Sequence, residues 1–475
     1  MDFSAFSAWG TFNIVFVILA SMLVGNILKK TLPPLRKSLI PTSVLGGLIL
    51  LVVSSIYYFC TGDQIFDTAI FGGKGMAALE VITYHALALG FVASALKTNG
   101  GKIGKKRTIE VFNTGVSTVS TYLLQGILGL GITLIVALIV PNFFGAAGML
   151  LPFGFGQGTG QALNYGTIYQ TDHGFTGGAS FGLAVAALCF LSASLGGVVC
   201  LNIRRARGKL VISKPARTLR SEDIESPDEI PMQESVDKLT LQVALIALAY
   251  FITWAIMFGL SQLLPGMTSL IYGFNFLIGV LSATLVKLVL NFLRKKNIVK
   301  KEYTNNFLLT RTSNFFFDIM VVAGIAAIQV ETILNYWGVL LILGVVGAVF
   351  TYIYQRFISK RLFPEYAEEQ FLMMYGMLTG TASTGIILLR EIDGNFETPA
   401  ADNMVYQNFP AIVFGLPMMF LATLAPERPI LTLIVLVAFF AAMNILLFRS
   451  LIFGGKRKKK DGQAPEDTAP DNTDE

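Results

Sequence analysis

The chain has 475 residues, of which 53% are hydrophobic and only 14% are charged, and its net charge is +6. Soluble domains carry roughly a quarter charged residues, so this composition excludes a soluble globular protein and predicts a polytopic membrane protein. The positive charge does not indicate a nucleic-acid partner. Lysines and arginines fall in short segments between apolar stretches, which is the distribution that orientation in a lipid bilayer requires.

An apolar window of about 20 residues is long enough to cross the hydrocarbon layer of a membrane. Segments 143–170 and 365–393 are apolar but interrupted by glycines, so they are not predicted to be simple spans. By this measure we predict an all-α membrane protein with spans near residues 9–28, 40–59, 77–96, 108–140, 175–203, 239–264, 269–293, 304–328, 331–355, 403–425 and 429–448.

The basic residues predict how these spans are oriented. If the first loop is cytoplasmic, most of the 36 Lys and Arg residues lie in cytoplasmic loops and in the C-terminal tail. The N-terminus is then outside and the C-terminus inside. Both interrupted segments must also enter and leave the membrane on one side. We therefore expect two re-entrant hairpins of opposite orientation, one in each half of a duplicated chain.

The predicted domain organisation follows from this duplication. The linker between the halves begins basic, turns acidic and contains prolines, which is typical of a solvated cytoplasmic tether. The predicted parts are a first repeat at 1–203 with its hairpin at 143–170, the linker at 204–238, an inverted second repeat at 239–425 with its hairpin at 365–393, an additional C-terminal span within 426–455, and a charged cytoplasmic tail at 456–475.

Both interruptions combine glycines with hydroxyl and amide side chains, which favours a ligand site. Broken backbone in lipid leaves polar groups unpaired at a cost of several kcal/mol each, unless protein or a water-filled cavity meets them. Glycines allow close approach of a ligand, and helix N-termini at hairpin tips favour an anion. The alternative is close helix packing with interhelical hydrogen bonds. The candidate substrate-binding residues are Gly156, Gln157, Gly158, Thr159, Gly160, Asn164, Gly380, Thr381, Ser383 and Thr384.

A carboxylate at membrane depth indicates function, because placing it there costs at least about 2.5 to 3.5 kcal/mol. Asp318 lies midway along the span 304–328 and is a candidate ligand of a cation. Thr379, beside the second hairpin tip, is the other ion-binding candidate. The alternative is that Asp318 pairs with Arg311, seven residues earlier on the same helix face.

An enzyme is not indicated by the sequence. The only histidines are His85 and His173, and the chain has no phosphate loop, no His-Glu-x-x-His motif and no Gly-x-Ser-x-Gly motif. A histidine-based metal site, ATP-driven pumping and intramembrane hydrolysis are therefore not predicted. An ion gradient is the expected energy source, and no cofactor is expected apart from a coupling ion, Na+.

Four groups of motifs in the first half of the chain form a recognisable set: Ile40-Pro-Thr-Ser-Val-Leu-Gly-Gly47, Leu89-Gly90 with Ser94-Ala-Leu-Lys97 and Gly100-Gly-Lys102, Gly156-Gln-Gly-Thr-Gly-Gln-Ala162, and Gly182-Leu with Leu195-Gly-Gly197. Together they resemble the bacterial sodium/glutamate symporter family. The chain departs from the family pattern at Gln157, where the family has histidine, and in its additional span and tail.

The resemblance implies a homodimeric symporter of the bacterial cytoplasmic membrane. In it, a transport domain containing both hairpins moves against a scaffold and carries glutamate or a related carboxylate with Na+. One alternative is a citrate-like hydroxycarboxylate or other organic-anion symporter, with H+ in place of Na+. Another is an ion channel whose broken helices line a continuous pore.

Overall fold

The computed structural model describes residues 6–37, 40–97, 104–206, 229, 236–393 and 397–452. These residues form helices and connecting turns, and no β-strand occurs among them. Ten of their helices are long and apolar enough to cross a membrane. An eleventh span is obtained if the bent pair Ala400–Tyr406 and Asn408–Leu424, which meet at 51°, is counted as one. The prediction of an all-α, multi-pass membrane protein is therefore confirmed.

Each predicted span overlaps one of these helices or the bent pair. The predicted tail 456–475 and most of the predicted linker 204–238 lie outside the described residues. In chain order the α-helices of six or more residues are α1 (Phe6–Thr31), α2 (Thr42–Thr61), α3 (Gly75–Leu96), α4 (Lys105–Ile139), α5 (Thr159–His173), α6 (Gly178–Ala206), α7 (Lys238–Leu263), α8 (Thr268–Gly273), α9 (Asn275–Lys295), α10 (Asn306–Ala326), α11 (Val330–Leu362), α12 (Ala367–Leu378), α13 (Ala382–Arg390), α14 (Ala400–Tyr406), α15 (Asn408–Leu424) and α16 (Pro429–Leu447).

Local sequence signals set several helix ends. Gly62 and Gly174 take positive φ angles of 82° and 70° directly after α2 and α5, a conformation that glycine adopts without strain. Asp237 caps α7 by accepting hydrogen bonds from two backbone N–H groups of the first turn. Pro429 opens α16, where its missing N–H removes no helical bond.

Six helices form a row that we call the first helix group. Their packing order is α1, α2, α10, α3, α9 and α7, with the α3–α10 pair at the centre. Gly90 of α3 lies so close to α10 that a Cβ there would come within 2.6 Å of the Phe317 ring. The Ser313 hydroxyl of α10 donates to the Gly90 carbonyl at 2.8 Å. The central pair is therefore held by close packing and by an interhelical hydrogen bond.

The second helix group contains the long helices α4 and α11 together with α6, α14, α15 and α16. It also contains segment A, residues 145–173, whose start and end lie side by side. Phe144, just before the segment, stacks on Phe175, just after it, with ring centroids 4.6 Å apart. Phe153 stacks on Tyr165 at 4.0 Å. Segment A therefore runs inward, breaks at Gly158 and returns as α5.

Segment B, residues 364–390, also folds back on itself. Helices α12 and α13 are its two arms, and the turn between them contains Gly380. Gly376 and Gly385 face each other across the arms, where a Cβ on Gly376 would lie 2.7 Å from the Gly385 Cα. Larger residues at these two positions would separate the arms, so the small residues of this interruption permit the close packing of segment B.

Candidate functional site

Segment A approaches the middle of α4 from the C-terminal end of that helix. Near that end, the Thr133 hydroxyl donates to the Gly145 carbonyl at 2.7 Å. Three turns earlier along α4, the Tyr122 hydroxyl donates to the Gly156 carbonyl at 2.9 Å. As segment A proceeds from 145 to 156, it therefore runs antiparallel to α4 and reaches the level of Tyr122.

Segment B approaches the same part of α4 from the opposite end. The Gln370 amide donates to the Thr114 hydroxyl at 3.2 Å, near the N-terminal end of α4. Further along, the Gln125 amide donates to the Leu378 carbonyl at the end of α12, also at 3.2 Å. The tips of both segments thus contact a single turn of α4, and α12 also packs directly against residues 153–157 of segment A.

Helix α6 brings the two tips together in the same way. Its Cys189 thiol donates to the Phe155 carbonyl of segment A at 3.2 Å. One turn later, Ala193 faces Gly380 of segment B, where a Cβ would lie 3.1 Å from the Ala193 Cβ. Two independent helices therefore place both broken segments at one level of the molecule.

The tip of segment A ends in an uncapped helix N-terminus. Gly158 has φ +81° and ψ −172°, a backbone conformation available essentially only to glycine, and no side chain caps α5. The first N–H groups of this 15-residue helix carry the positive end of its dipole, which suits an anion. The break at Gly158 therefore offers backbone N–H donors to a ligand, without a charged side chain.

Gln161, in the first turn of α5, has no hydrogen-bond partner for either amide atom within the described part of the chain. Its side chain is 1% exposed. Leaving a buried polar atom unpaired costs about 1–3 kcal/mol, so such an amide is explained by a ligand or an ordered water. The sequence analysis did not select Gln161, although it lies within the glycine-rich run, because the pattern alone does not show which amide is left unpaired.

Two predicted ligand residues of segment A bond to other helices. The buried Thr159 hydroxyl donates to the Met320 carbonyl of α10, in the first helix group, at 3.2 Å. The Asn164 amide donates to the Gly273 carbonyl of α8, the short helix just before α9, at 3.3 Å. These interhelical bonds attach segment A to α10 and α8.

The glycines of segment A serve close packing. A Cβ on Gly156 would lie 1.9 Å from the Tyr122 ring, and one on Gly160 would lie 2.8 Å from Leu87 of α3. Gln157 is half-buried between these positions. Gly156 and Gly160 therefore fix the distance from the tip to α4 and α3.

In segment B the predicted residues lie in the turn between the two arms and at the start of the returning arm. Thr381 is the N-cap of α13, and its hydroxyl accepts a hydrogen bond from the Thr384 backbone N–H at 3.3 Å. The buried Thr379 hydroxyl donates to the Tyr375 carbonyl at 2.6 Å. Ser383 lies in the first turn of α13. These residues shape the tip of segment B, where it faces segment A.

The structure does not bring Asp318 to the tips. It lies on the face of α10 opposite to Met320, is exposed, and is near Ser43 of α2. Arg311, its predicted alternative partner, lies over the Phe307 ring at 5.1 Å from the centroid. The groups at the tips are accordingly backbone amides, carbonyls, hydroxyls and glutamine amides.

Broken backbone, an uncapped helix N-terminus and an unpaired buried amide together are typical of a ligand-binding site inside a membrane protein. No protein-family model matches the chain, and no curated protein matches it. The ligand is therefore inferred from the chemistry of these groups.

Proposed function

We propose that this protein is a secondary active transporter that couples Na+ entry to uptake of glutamate or a related carboxylate by alternating access. The observation that carries the proposal is the meeting of segments A and B on one turn of α4, which they reach from opposite ends. In this proposal the two segments are re-entrant hairpins that enter from opposite sides of the membrane. Substrate sites of this kind lie where discontinuous helices meet near the midplane.

The order of helices in the first group supports an inverted repeat. Exchanging α1 with α7, α2 with α9, and α3 with α10 leaves the row α1, α2, α10, α3, α9, α7 unchanged apart from its direction. In both halves a long helix, α4 or α11, directly precedes the folded-back segment. A pseudo-two-fold axis in the membrane plane, passing between α3 and α10, accounts for both features.

The donors at the tip of segment A support an anionic substrate. The free N–H groups at the start of α5 suit a carboxylate. The Gln161 amide offers one donor and one acceptor. An amino acid with two carboxylates presents complementary groups to all of these, which agrees with the family that the motifs resemble. The proposed protein is a homodimer in the bacterial cytoplasmic membrane, with its N-terminus outside and its C-terminus inside.

The unequal attachment of the two tips supports alternating access. Segment A bonds to α10 through Thr159 and to α8 through Asn164. The bond between Thr381 and Thr384 stays within segment B, and Ala382 at the start of α13 is exposed. In the proposed cycle, segment A is released from these helices and segment B attaches to the first helix group. This exchange converts one access state into the other.

Reconstituted protein tests the proposal directly. Labelled glutamate uptake into proteoliposomes is expected to require an inward Na+ gradient, with choline as the control cation. Competition with aspartate, malate and citrate then identifies the carboxylate class. Equal uptake with and without the Na+ gradient would refute Na+ coupling, and single-channel currents would indicate a pore instead.

Replacement of Gln161 tests the site itself. Gln161→Leu removes two unpaired buried atoms, so the unliganded protein should be at least as stable as wild type. Loss of a hydrogen bond to a charged substrate, worth about 1.5–3 kcal/mol, should weaken binding about tenfold or more.

The matched control for this variant is Gln242→Leu in α7. The Gln242 amide donates to the Tyr303 carbonyl at 2.8 Å and accepts from the Asn305 N–H at 3.1 Å. Its replacement should therefore destabilise the protein without changing substrate affinity. Wild-type substrate affinity in Gln161→Leu would remove this residue from the site.

A further inference from the structure

Helices α4 and α11 contain the same short pattern. It reads Thr121-Tyr-Leu-Leu-Gln125 in α4 and Thr351-Tyr-Ile-Tyr-Gln355 in α11. The two pentapeptides pack against each other. The Gln125 amide donates to the Thr351 hydroxyl at 2.8 Å, and the Gln355 amide donates to the Thr121 hydroxyl at 2.6 Å. The exchange is reciprocal, as expected for antiparallel helices related by a local two-fold axis.

Both glutamines at this crossing keep an unpaired oxygen. The Oε1 atoms of Gln125 and Gln355 have no hydrogen-bond partner among the described residues, and the side chains are 1% and 0% exposed. Each unpaired buried acceptor costs about 1–3 kcal/mol. Two such acceptors at symmetry-related positions indicate a common occupant of the crossing rather than two separate packing defects.

We propose that the α4–α11 crossing is a binding site for a monovalent alkali cation, Na+, held by the Oε1 atoms of Gln125 and Gln355 with the Thr121 and Thr351 hydroxyls beside them. Amide and hydroxyl oxygens are hard donors of the kind that alkali and alkaline-earth cations prefer. The four side chains carry no formal charge, and such a neutral set matches a single positive charge better than a divalent one. This inference rests on the proposed function, for which it locates the coupling ion.

The position of the crossing explains how a cation there acts on the substrate site. Gln125 also donates to the Leu378 carbonyl at the tip of segment B. Tyr122, in the same turn of α4, donates to the Gly156 carbonyl at the tip of segment A. A cation that fixes the Gln125 amide therefore orders the tip of segment B, next to the α4 side chain that holds segment A. Substrate binding must then raise cation affinity by the same factor by which the cation raises substrate affinity.

The test measures Na+ binding by purified protein without any carboxylate. Thermal unfolding in NaCl against choline chloride, together with binding of radioactive Na+, gives an apparent Na+ affinity for each variant. Gln355→Leu and Gln125→Leu should each weaken that affinity at least tenfold. Gln355→Leu is the more selective variant, since Gln125 also bonds to segment B. The unfolding transition itself shows that each variant is folded.

Asn444→Leu is the matched control. This half-buried amide of α16 packs beside the crossing, but its oxygen already accepts from the Tyr354 hydroxyl at 2.7 Å. Its replacement should lower the unfolding temperature while Na+ affinity is unchanged. Wild-type Na+ affinity in both glutamine variants, or absence of any Na+ binding by wild type, would overturn the site. Na+-dependent uptake in proteoliposomes is scored separately, so the proposed function can survive that result.

Discussion

Substituting Gly158 by alanine isolates the contribution of backbone conformation to the site. The φ of +81° and ψ of −172° at Gly158 belong to a region that other residues occupy only at a cost of about 1–3 kcal/mol. Space is not the obstacle, because the nearest atom to an added Cβ is the Met320 Cε at 3.7 Å. The chain can relieve the strain by moving the tip of segment A out of its binding geometry. A penalty of this size corresponds to about 5- to 150-fold weaker substrate binding.

The assay compares Gly158→Ala with Gly131→Ala, a variant of the same chemistry elsewhere in the second helix group. Gly131 lies within α4, and an added Cβ there meets no atom within 4 Å. Alanine should stabilise that helix by up to about 1 kcal/mol and leave binding unchanged. Substrate titration in saturating Na+ and thermal unfolding are measured for both variants. If both variants bind substrate like wild type, the tip of segment A does not form the site.

Three further substitutions test other parts of the structure. Thr159→Val removes the bond to α10 and should cost about 1 kcal/mol in thermal stability, with a larger effect on uptake rate than on equilibrium binding; unchanged uptake and stability would contradict this attachment. Asp318→Asn should leave the Na+ dependence of substrate binding unchanged, because Asp318 lies away from the tips. If substrate binding by this variant no longer depends on Na+, the ion binds near α10 instead. Lys238→Met leaves Glu229, now 2.8 Å from the ammonium, without that partner and should cost about 3–5 kcal/mol in unfolding experiments; a shift no larger than that of Gly131→Ala would contradict this ion pair.

Hydropathy predicted the helices well because a window of about 20 apolar residues has few alternatives to a membrane helix. The predicted and observed helices differ where the end of an apolar stretch is not the end of a helix. Helix α11 continues to Leu362, although Arg356 and Lys360 end the apolar window near residue 355. The predicted span 269–293 divides at Phe274 into α8 and α9. Hydropathy records burial in lipid, whereas backbone hydrogen bonding determines where each helix ends.

The sequence predicted where the chain folds back better than which partners the side chains contact there. The glycine-rich runs do form the two tips, because broken helices require small residues and local polar partners. A hydroxyl or amide side chain is available to a ligand only if no neighbouring protein group already hydrogen bonds to it. Thr159 meets the Met320 carbonyl, whereas Gln161, only two residues later, meets no partner among the described residues. Such differences depend on the rotation of α5 against its neighbours, which a residue pattern does not specify.

The matching pentapeptides of α4 and α11 support the proposed inverted repeat only in combination with their contacts. Most of their residues are common in membrane helices, so the match acquires meaning only when Gln125 and Gln355 bond reciprocally to the opposite threonines. The symmetry is broken at one bond, since Gln125 donates to Leu378 of segment B, whereas Gln355 makes no corresponding bond to segment A within the described part of the chain. In an inverted-repeat transporter the other access state exchanges the roles of the halves. In that state Gln355 should bond to segment A and Gln125 should release segment B. Gln125→Leu and Gln355→Leu should therefore each favour a different access state. Chemical labelling of cysteines placed at the two tips measures which state each variant favours.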